Sequence, residues 1–257
     1  MTKITCLVAV LFVCLLSGCV PSATVPLQTL NYPLYPQQRQ KTLLVLLRGI
    51  GGQASDFKEL GLVDMIQGSA MPCDVLVPDA HYGYYRDRSV VERLKQDVID
   101  PARAQGYQHI WLAGFSMGGI GCLFYLREHP QDIETVLLIS PFLGWDSQLE
   151  PILAAGDLRC WQPSADEQND FPELLWLWIK QYQQQPSVYP PIHLIYAAND
   201  WITGDGPALL ATVLPASRVI RDQGGHDNET LVRLFGRLFL PLSSTAQADE
   251  DSLRRNP

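Results

Sequence analysis

One serine in this chain lies in a pattern that activates serine for nucleophilic chemistry. Ser116 is at the centre of Gly114–Gly118, behind an apolar run at 110–113 and ahead of a segment of helical character. In a Gly-x-Ser-x-Gly turn between a strand and a helix, the glycines remove Cβ atoms that would collide, and the serine oxygen projects from the end of a sheet. The pattern predicts a nucleophile elbow, whereas a turn without chemistry is the plainer alternative.

A serine hydroxyl is a poor nucleophile until a neighbouring base removes its proton, and His226 is the candidate base. It follows a short predicted strand at 218–221, and the glycines at 224 and 225 allow its loop to turn back over the elbow. Three of the other four histidines begin a strand or end a helix and are interpreted as structural: His109, His129 and His193. His226 is therefore the histidine placed to act on Ser116.

Asp200 is the candidate acid that orients the base. It comes three residues after the apolar run at 192–197, in a loop that ends near the same edge of the predicted sheet. Asp205 is the nearest rival, but its position before Pro207 is more typical of a helix cap. The structural alternative for Asp200 is an Asx turn, which is common in such loops.

These residues need a scaffold, and apolar runs alternate with helical periodicity along the chain. Strands that are apolar throughout belong to a sheet covered on both faces by helices, which predicts a doubly wound, mostly parallel α/β sheet. The strands are predicted at 41–47, 74–77, 109–113, 135–139, 192–197 and 218–221, and the helices at 55–67, 89–105, 117–129 and 229–240.

Over residues 41–240 the chain resembles the α/β-hydrolase fold, with a shortened N-terminal edge. The resemblance rests on the elbow serine, an acid after the penultimate strand and a histidine after the last, in that order. It implies that Ser116, Asp200 and His226 are catalytic and that no metal or organic cofactor takes part. It also implies an oxyanion hole formed by the backbone N–H groups of Met117 and Ile50.

The Ile50 loop, 48–52, differs from the His-Gly-x-Gly turn of many members of this fold because arginine replaces the histidine. Arg48 is expected either to attract a carboxylate or phosphate near the site or to stabilise the loop. His81 follows the predicted strand at 74–77, on the same rim as the elbow. It is expected either to contact substrate or to lie exposed on the surface.

The segment from about 142 to 190 is where this fold inserts a cap, and it is rich in tryptophan. Trp145, Trp161, Trp176 and Trp178 lie within it. The interpretation we favour is that these aromatics pack the small cap onto the body. The functional alternative is an apolar wall for an acyl or aromatic group over Ser116.

The N-terminus predicts export and a lipid anchor. Lys3 precedes an apolar segment at 7–16, and Leu16–Cys19 resembles a bacterial lipobox, in which cleavage leaves Cys19 as a lipidated N-terminal residue. Val20 is not the aspartate that favours inner-membrane retention, so the expected location is the bacterial cell envelope, at the outer membrane. An ordinary signal peptide with a chance cysteine is the alternative.

Composition predicts one globular domain on a tether. We divide the chain into a signal peptide (1–18), a lipidated tether (19–40), an α/β-hydrolase domain (41–242, with the cap insertion) and a flexible tail (243–257). Loss of residues 1–18 removes only Lys3 among the charged residues and shifts the formal net charge from −8 to −9. This charge, without a basic stripe, argues against a nucleic-acid partner.

The three cysteines after Cys19 give little information about the function of the protein. Cys122 falls within the predicted helix behind the elbow and is interpreted as a small buried hydrophobic residue. Cys73 and Cys160 are candidates for a disulfide in an oxidising compartment, although the sequence does not give their separation.

Taken together, the sequence predicts a membrane-anchored serine hydrolase acting on a small-molecule acyl ester or thioester through an acyl-enzyme on Ser116. A peptidase or acyltransferase would use the same three groups. A noncatalytic envelope protein that keeps the fold as a binding module is the alternative from a different class. The oligomeric state is not predicted.

Overall fold

A seven-stranded sheet forms the centre of the computed structural model, which describes residues 21–163 and 171–255, with side-chain environments through 246. The strand order is β1-β3-β2-β4-β5-β6-β7; β1 runs antiparallel to β3, and the other neighbours are parallel. The strands are β1 Thr29–Tyr32, β2 Thr42–Leu47, β3 Cys73–Pro78, β4 His109–Phe115, β5 Thr135–Ile139, β6 Ile192–Ala197 and β7 Val219–Asp222. This topology confirms the predicted doubly wound, mostly parallel sheet.

Helices cover both faces of the sheet. They are α1 Asp56–Glu59, α2 Leu62–Gln67, α3 Tyr82–Arg86, α4 Val90–Leu94, α5 Asp100–Ala104, α6 Met117–Glu128, α7 Asp146–Ala154, α8 Phe171–Gln184, α9 Gly206–Ala211 and α10 Asn228–Arg255. A π-helical segment, Lys95–Ile99, joins α4 to α5.

The side chains of the central strands divide between two apolar layers. In β2, Leu43, Val45 and Leu47 enter the layer under α3–α9, whereas Leu44 and Leu46 enter the layer under α1, α2 and α10. Successive side chains of a strand point to opposite faces, so a strand that is buried on both faces must be apolar at every position.

Several predicted boundaries differ from the structure. The predicted helix at 55–67 is two short helices, because Gly61 between them has a left-handed φ of 79°. Ser55 precedes the first of them and makes no side-chain cap hydrogen bond. The predicted helix at 89–105 is present as an unbroken helical stretch, in which the π-helical segment Lys95–Ile99 separates α4 from α5.

The structure also differs from the predicted tether and tail. Thr29–Tyr32 is not tether but the edge strand β1, and Leu27 before it is buried. At the other end, α10 continues through Arg255, and Ser243 is fully buried. The predicted signal segment and Cys19 lie outside the described residues.

Cys73 and Cys160, the candidate pair for a disulfide, are not bonded: both thiols are free, with Cys73 buried in the core and Cys160 exposed. Burial, with a smaller contribution from Asp74, raises the pKa of Cys73 to about 12, so this cysteine stays a thiol. Cys122 is fully buried, as interpreted from its position. No helix in the described part of the chain is long and apolar enough to cross a membrane.

Candidate active site

The turn around Ser116 is held by close backbone contacts. Ser116 has φ 52° and ψ −119°, a conformation that side-chain-bearing residues rarely adopt, between the end of β4 and the start of α6. A Cβ atom on Gly118 would lie 2.2 Å from the carbonyl oxygen of Leu47, and one on Gly114 would lie 2.5 Å from that of Gly118. Both glycines of the motif are therefore sterically required, and Ser116 has the strained geometry that the motif predicts.

His226 and Asp200 come together from different loops. The Nδ1 atom of His226 lies 2.6 Å from Oδ2 of Asp200, whose side chain is 2% exposed. The other carboxylate oxygen accepts backbone N–H bonds from Ile202, at 3.1 Å, and Thr203, at 3.2 Å. Asp200 is thus fixed in orientation by its own loop while it faces the imidazole.

The hydrogen bonds of Asp200 also keep it charged. Burial of the carboxyl group raises its pKa, but the hydrogen bond and charge of His226, together with Thr203, outweigh burial and lower the pKa below its ordinary value. Asp205, the rival acid, is exposed and makes no side-chain cap hydrogen bond to α9. The structure therefore brings Asp200, and not Asp205, to His226.

Ser116 and His226 line one cavity of about 330 Å³ at the carboxyl ends of the strands. The loop 48–52 forms one side, and a Cβ atom on Gly49 would lie 3.2 Å from Cβ of Ser116, so this backbone approaches the serine closely. Met117 is the first residue of α6, where backbone N–H groups have no acceptor within the helix. Ile50 lies on the cavity wall.

Helices on both sides of the cavity supply apolar walls that the sequence analysis did not assign. Phe57 of α1 and Leu231 and Val232 of α10 line it, with Phe115 beneath. Leu231 and Val232 follow His226 by five and six residues, at the start of the helix after the histidine loop. Their closeness to His226 in the sequence is the feature from which their place in the cavity wall could have been predicted. No described residue of the cap, 142–190, lines this cavity.

Three of the four cap tryptophans are buried: Trp161, Trp176 and Trp178. The indole N–H of Trp176 donates to the carbonyl of Leu143 at 3.0 Å, which ties α8 to the loop after β5. These side chains pack the cap onto the body, as we favoured, and do not form an acyl-binding wall over Ser116. Trp145 is exposed.

Arg48 and His81 both have structural partners. The Nε atom of Arg48 lies 3.0 Å from Oδ1 of Asp79, an ion pair that joins the loop after β2 to the loop after β3. His81 is buried and caps α3, with Nδ1 accepting the backbone N–H of Gly83 at 3.1 Å. Burial lowers the pKa of His81, which favours the neutral ring that this bond requires. His81 is therefore neither exposed nor part of the cavity wall.

The chain has no match among family models or among curated proteins. Among solved structures, fluorophosphonate-binding serine hydrolase F of Staphylococcus aureus superposes with a TM-score of 0.58 at 12% identity, covering 85% of this chain and 98% of that one. S-formylglutathione hydrolase of the same organism has a TM-score of 0.56 at 14% identity, covering 88% and 99%.

A monoacylglycerol lipase from Paleococcus ferrophilus has a TM-score of 0.54 at 15% identity, covering 84% of this chain and 98% of its own. At these identities the likeness concerns architecture, and it extends over nearly the full length of each relative. The chain therefore has the α/β-hydrolase fold.

Proposed function

We propose that this protein is a serine hydrolase that cleaves carboxylic esters or thioesters through an acyl-enzyme on Ser116. The observation that carries the proposal is the 2.6 Å contact between His226 Nδ1 and Asp200, beside a cavity that His226 shares with a serine in elbow geometry. The similar solved structures include proteins named as a lipase and an S-formylglutathione hydrolase, which supports ester or thioester chemistry.

The contact with Asp200 assigns the two ring nitrogens of His226. Nδ1 carries a proton directed at the carboxylate, which leaves Nε2 with a free electron pair for the serine proton. As Ser116 Oγ bonds to the substrate carbonyl carbon, His226 takes that proton, and Asp200 stabilises the resulting imidazolium.

The tetrahedral intermediate then collapses. The bond from the carbonyl carbon to the leaving oxygen or sulfur breaks, His226 returns the proton to the leaving group, and the acyl group remains on Ser116. A water molecule attacks this ester with His226 again as base, which releases the acid and restores the serine. In both halves the backbone N–H groups of Met117 and Ile50 stabilise the oxyanion, where loss of one donor typically costs about 10²–10³ in kcat.

Fluorophosphonate labelling of the native protein tests the nucleophile. We expect a covalent adduct on Ser116 and none on Ser116→Ala, with unchanged far-UV circular dichroism. Hydrolysis of p-nitrophenyl esters of graded acyl length, beside aminoacyl and thioester substrates, then separates ester and thioester hydrolysis from peptidase or acyl-transfer activity. Native protein that resists the probe, or labels equally without Ser116, would support the noncatalytic binding module.

We also propose that the enzyme is anchored to the bacterial cell envelope, at the outer membrane, through lipid on Cys19. The lipobox-like Leu16–Cys19 and the absence of aspartate at Val20 support this location. A lipid with several acyl chains would give stable attachment. A Cys19→Ala variant should move from the membrane fraction to the soluble fraction, and a variant as membrane-bound as wild type would exclude the anchor.

A further inference from the structure

We infer that the rim of the sheet that carries Ser116 lies against the anchoring membrane, and that the substrate is an acyl ester held in that membrane. This inference rests on the proposed function, because it takes Ser116 as the nucleophile and Cys19 as the lipid site. It adds an orientation and a substrate class. The support comes from the path of the N-terminal segment and from the distribution of exposed apolar side chains.

The N-terminal segment enters the sheet at the same rim as the elbow. Thr29, the first residue of β1, pairs with Pro78, the last residue of β3. Since β3 is parallel to β2 and β2 to β4, the end of β3 lies at the edge where β4 delivers Ser116. The chain before Thr29 therefore approaches from the catalytic side of the sheet.

Residues 21–24 remain on this rim. The backbone N–H of Thr24 donates to Tyr84 Oη at 3.1 Å, and the tyrosine hydroxyl donates to the carbonyl of Thr24 at 3.0 Å. A Cβ atom on Gly83 would lie 2.1 Å from the carbonyl oxygen of Pro21, so these two backbones are in contact. Gly83 and Tyr84 belong to α3, which directly follows β3 at the rim.

The position of Pro21 limits where the anchor can be. Cys19 is two residues before it, so covalent geometry keeps their Cα atoms within about 8 Å. From α3 the rim continues through the ion pair of Asp79 with Arg48 to Gly49, which packs against Ser116. A lipid on Cys19 would therefore hold this rim, and not the opposite edge of the sheet, at the membrane surface.

Of the eleven large apolar side chains that are exposed in the described residues, four lie on this rim, and they include both exposed tryptophans. Ile50, Trp145 and Trp201 lie in the segments that follow the carboxyl ends of β2, β5 and β6, and Tyr82 begins α3 just after β3. Trp201 is 83% exposed, Trp145 63% and Ile50 62%. Tryptophan and tyrosine are enriched where proteins meet the membrane–water interface. Because the protein lacking residues 1–18 has a formal net charge of −9, we expect the contact to be apolar and the membrane surface zwitterionic.

The cavity opens among these residues. Ile50 and Ile202 line it at the rim, and Phe57, Leu231 and Val232 extend the apolar wall inward. An acyl chain leaving the bilayer would pass from one apolar environment to another, while its ester carbonyl stops beside Ser116. We therefore expect a membrane-held ester to be the better substrate than a water-soluble one of the same chemistry.

A quenching experiment tests the orientation without relying on catalysis. Full-length lipidated Ser116→Ala protein is placed in phosphatidylcholine vesicles whose acyl chains carry bromine, which quenches nearby indole fluorescence. We expect strong quenching that is largely lost when Trp145→Gln and Trp201→Gln are added. Tyr35→Gln and Val188→Gln, at exposed apolar sites outside the rim, are the controls and should leave quenching unchanged. Vesicle-bound protein without quenching would overturn the inference.

An activity comparison tests the substrate class. In the wild-type background, Trp145→Gln with Trp201→Gln should lower the hydrolysis of a long-chain p-nitrophenyl ester in vesicles by tenfold or more and change that of soluble p-nitrophenyl butyrate by less than twofold. Equal losses on both substrates, or no loss on either, would contradict a membrane-held substrate. Failure of wild type to hydrolyse any ester or to label on Ser116 would instead refute the proposed function, whatever the quenching shows.

Discussion

The elbow and the two loops that carry Asp200 and His226 position their side chains by different means. In the elbow, the backbones of β2, β4 and α6 approach so closely that Cβ atoms on Gly114 and Gly118 would collide with carbonyl groups. Ser116 itself is only 4% exposed. Its position is therefore a consequence of core packing at the centre of the sheet.

Besides the contact between His226 and Asp200, two backbone hydrogen bonds join the segments after β6 and β7. The N–H of Asn199 donates to the carbonyl of Gly224 at 3.1 Å, and that of Ala198 donates to the carbonyl of Asp222 at 2.7 Å. A Cβ built on Gly225, beside the histidine, would have its nearest atom at 3.8 Å, the Oδ2 of Asp227, which is ordinary van der Waals contact. Substitutions in the elbow should therefore cost both stability and activity, whereas those in the loops should mainly cost activity.

Gly118→Ala should have the largest effect because the new methyl group would overlap the carbonyl oxygen of Leu47, a central strand atom that cannot move alone. We expect a loss of about 3 kcal/mol or more in the free energy of unfolding, together with loss of ester hydrolysis. Denaturant unfolding of purified protein measures it. Gly106→Ala, at a glycine with φ 98° and open surroundings, is the control: it should strain the backbone locally but leave the folded protein active. Equal effects of the two changes on activity would refute the steric account of the elbow.

Asp200→Asn should leave the fold intact but lower kcat by about 10⁴, because the amide no longer favours the ring tautomer that accepts the serine proton. Asp205→Asn is the matched control, since this rival carboxylate is exposed and should be replaceable without loss. Steady-state kinetics on a soluble ester decides between them. A larger loss in Asp205→Asn would reassign the acid and separate His226 from Asp200.

The contrast between the elbow and the loops of Asp200 and His226 also explains which features could be predicted from the sequence. The elbow was predictable because its geometry depends on residues adjacent in sequence, and Gly114, Ser116 and Gly118 state that requirement directly. The central strands were predictable because burial on both faces leaves only apolar side chains. The pairing of Asp200 with His226 could be anticipated from topology, since both loops follow parallel strands at one edge of the sheet.

Features set by distant packing were not predictable in the same way. Thr29–Tyr32 (β1) is polar and lacks the apolar run of a central strand. It is an edge strand whose one neighbour in the sheet is β3. The polar sequence after Leu242 suggested a tail, yet α10 continues there with Ser243 buried. The sequence also did not show which way the cap tryptophans point, because an apolar ring packs equally well into a core or into the wall of a substrate cavity.

Gly224→Ala and Gly225→Ala test how the loop after β7 positions His226. Gly224 has φ 124°, and its Cβ would lie 2.6 Å from Cγ2 of Thr230 in α10, whereas a Cβ on Gly225 would make only ordinary van der Waals contacts, at 3.8 Å or more. We expect Gly224→Ala to displace His226 and lower kcat by about 10²-fold, with Gly225→Ala close to wild type. Similar kinetics for the pair would indicate that the loop adapts to the added methyl group.

The smallest effect concerns Asp222, which ends β7 just before the histidine loop. The Arg237 guanidinium, with the N–H of Gln223 and the Arg233 guanidinium, lowers the pKa of Asp222 from its ordinary 3.8 to about 2. Because the folded-state pKa is the lower one, this carboxylate stabilises the fold above pH 3.8, and its contribution fades as the pH falls toward 2. Asp222→Asn should therefore be slightly less stable than wild type from pH 4 to 7 in denaturant unfolding, and the difference should vanish near pH 2. Because exposed ion pairs are screened, added salt should shrink the difference as well. A stability difference between Asp222→Asn and wild type that grows on acidification would instead mean that the contact of β7 with Arg233 and Arg237 of α10 does not depend on the charge of Asp222.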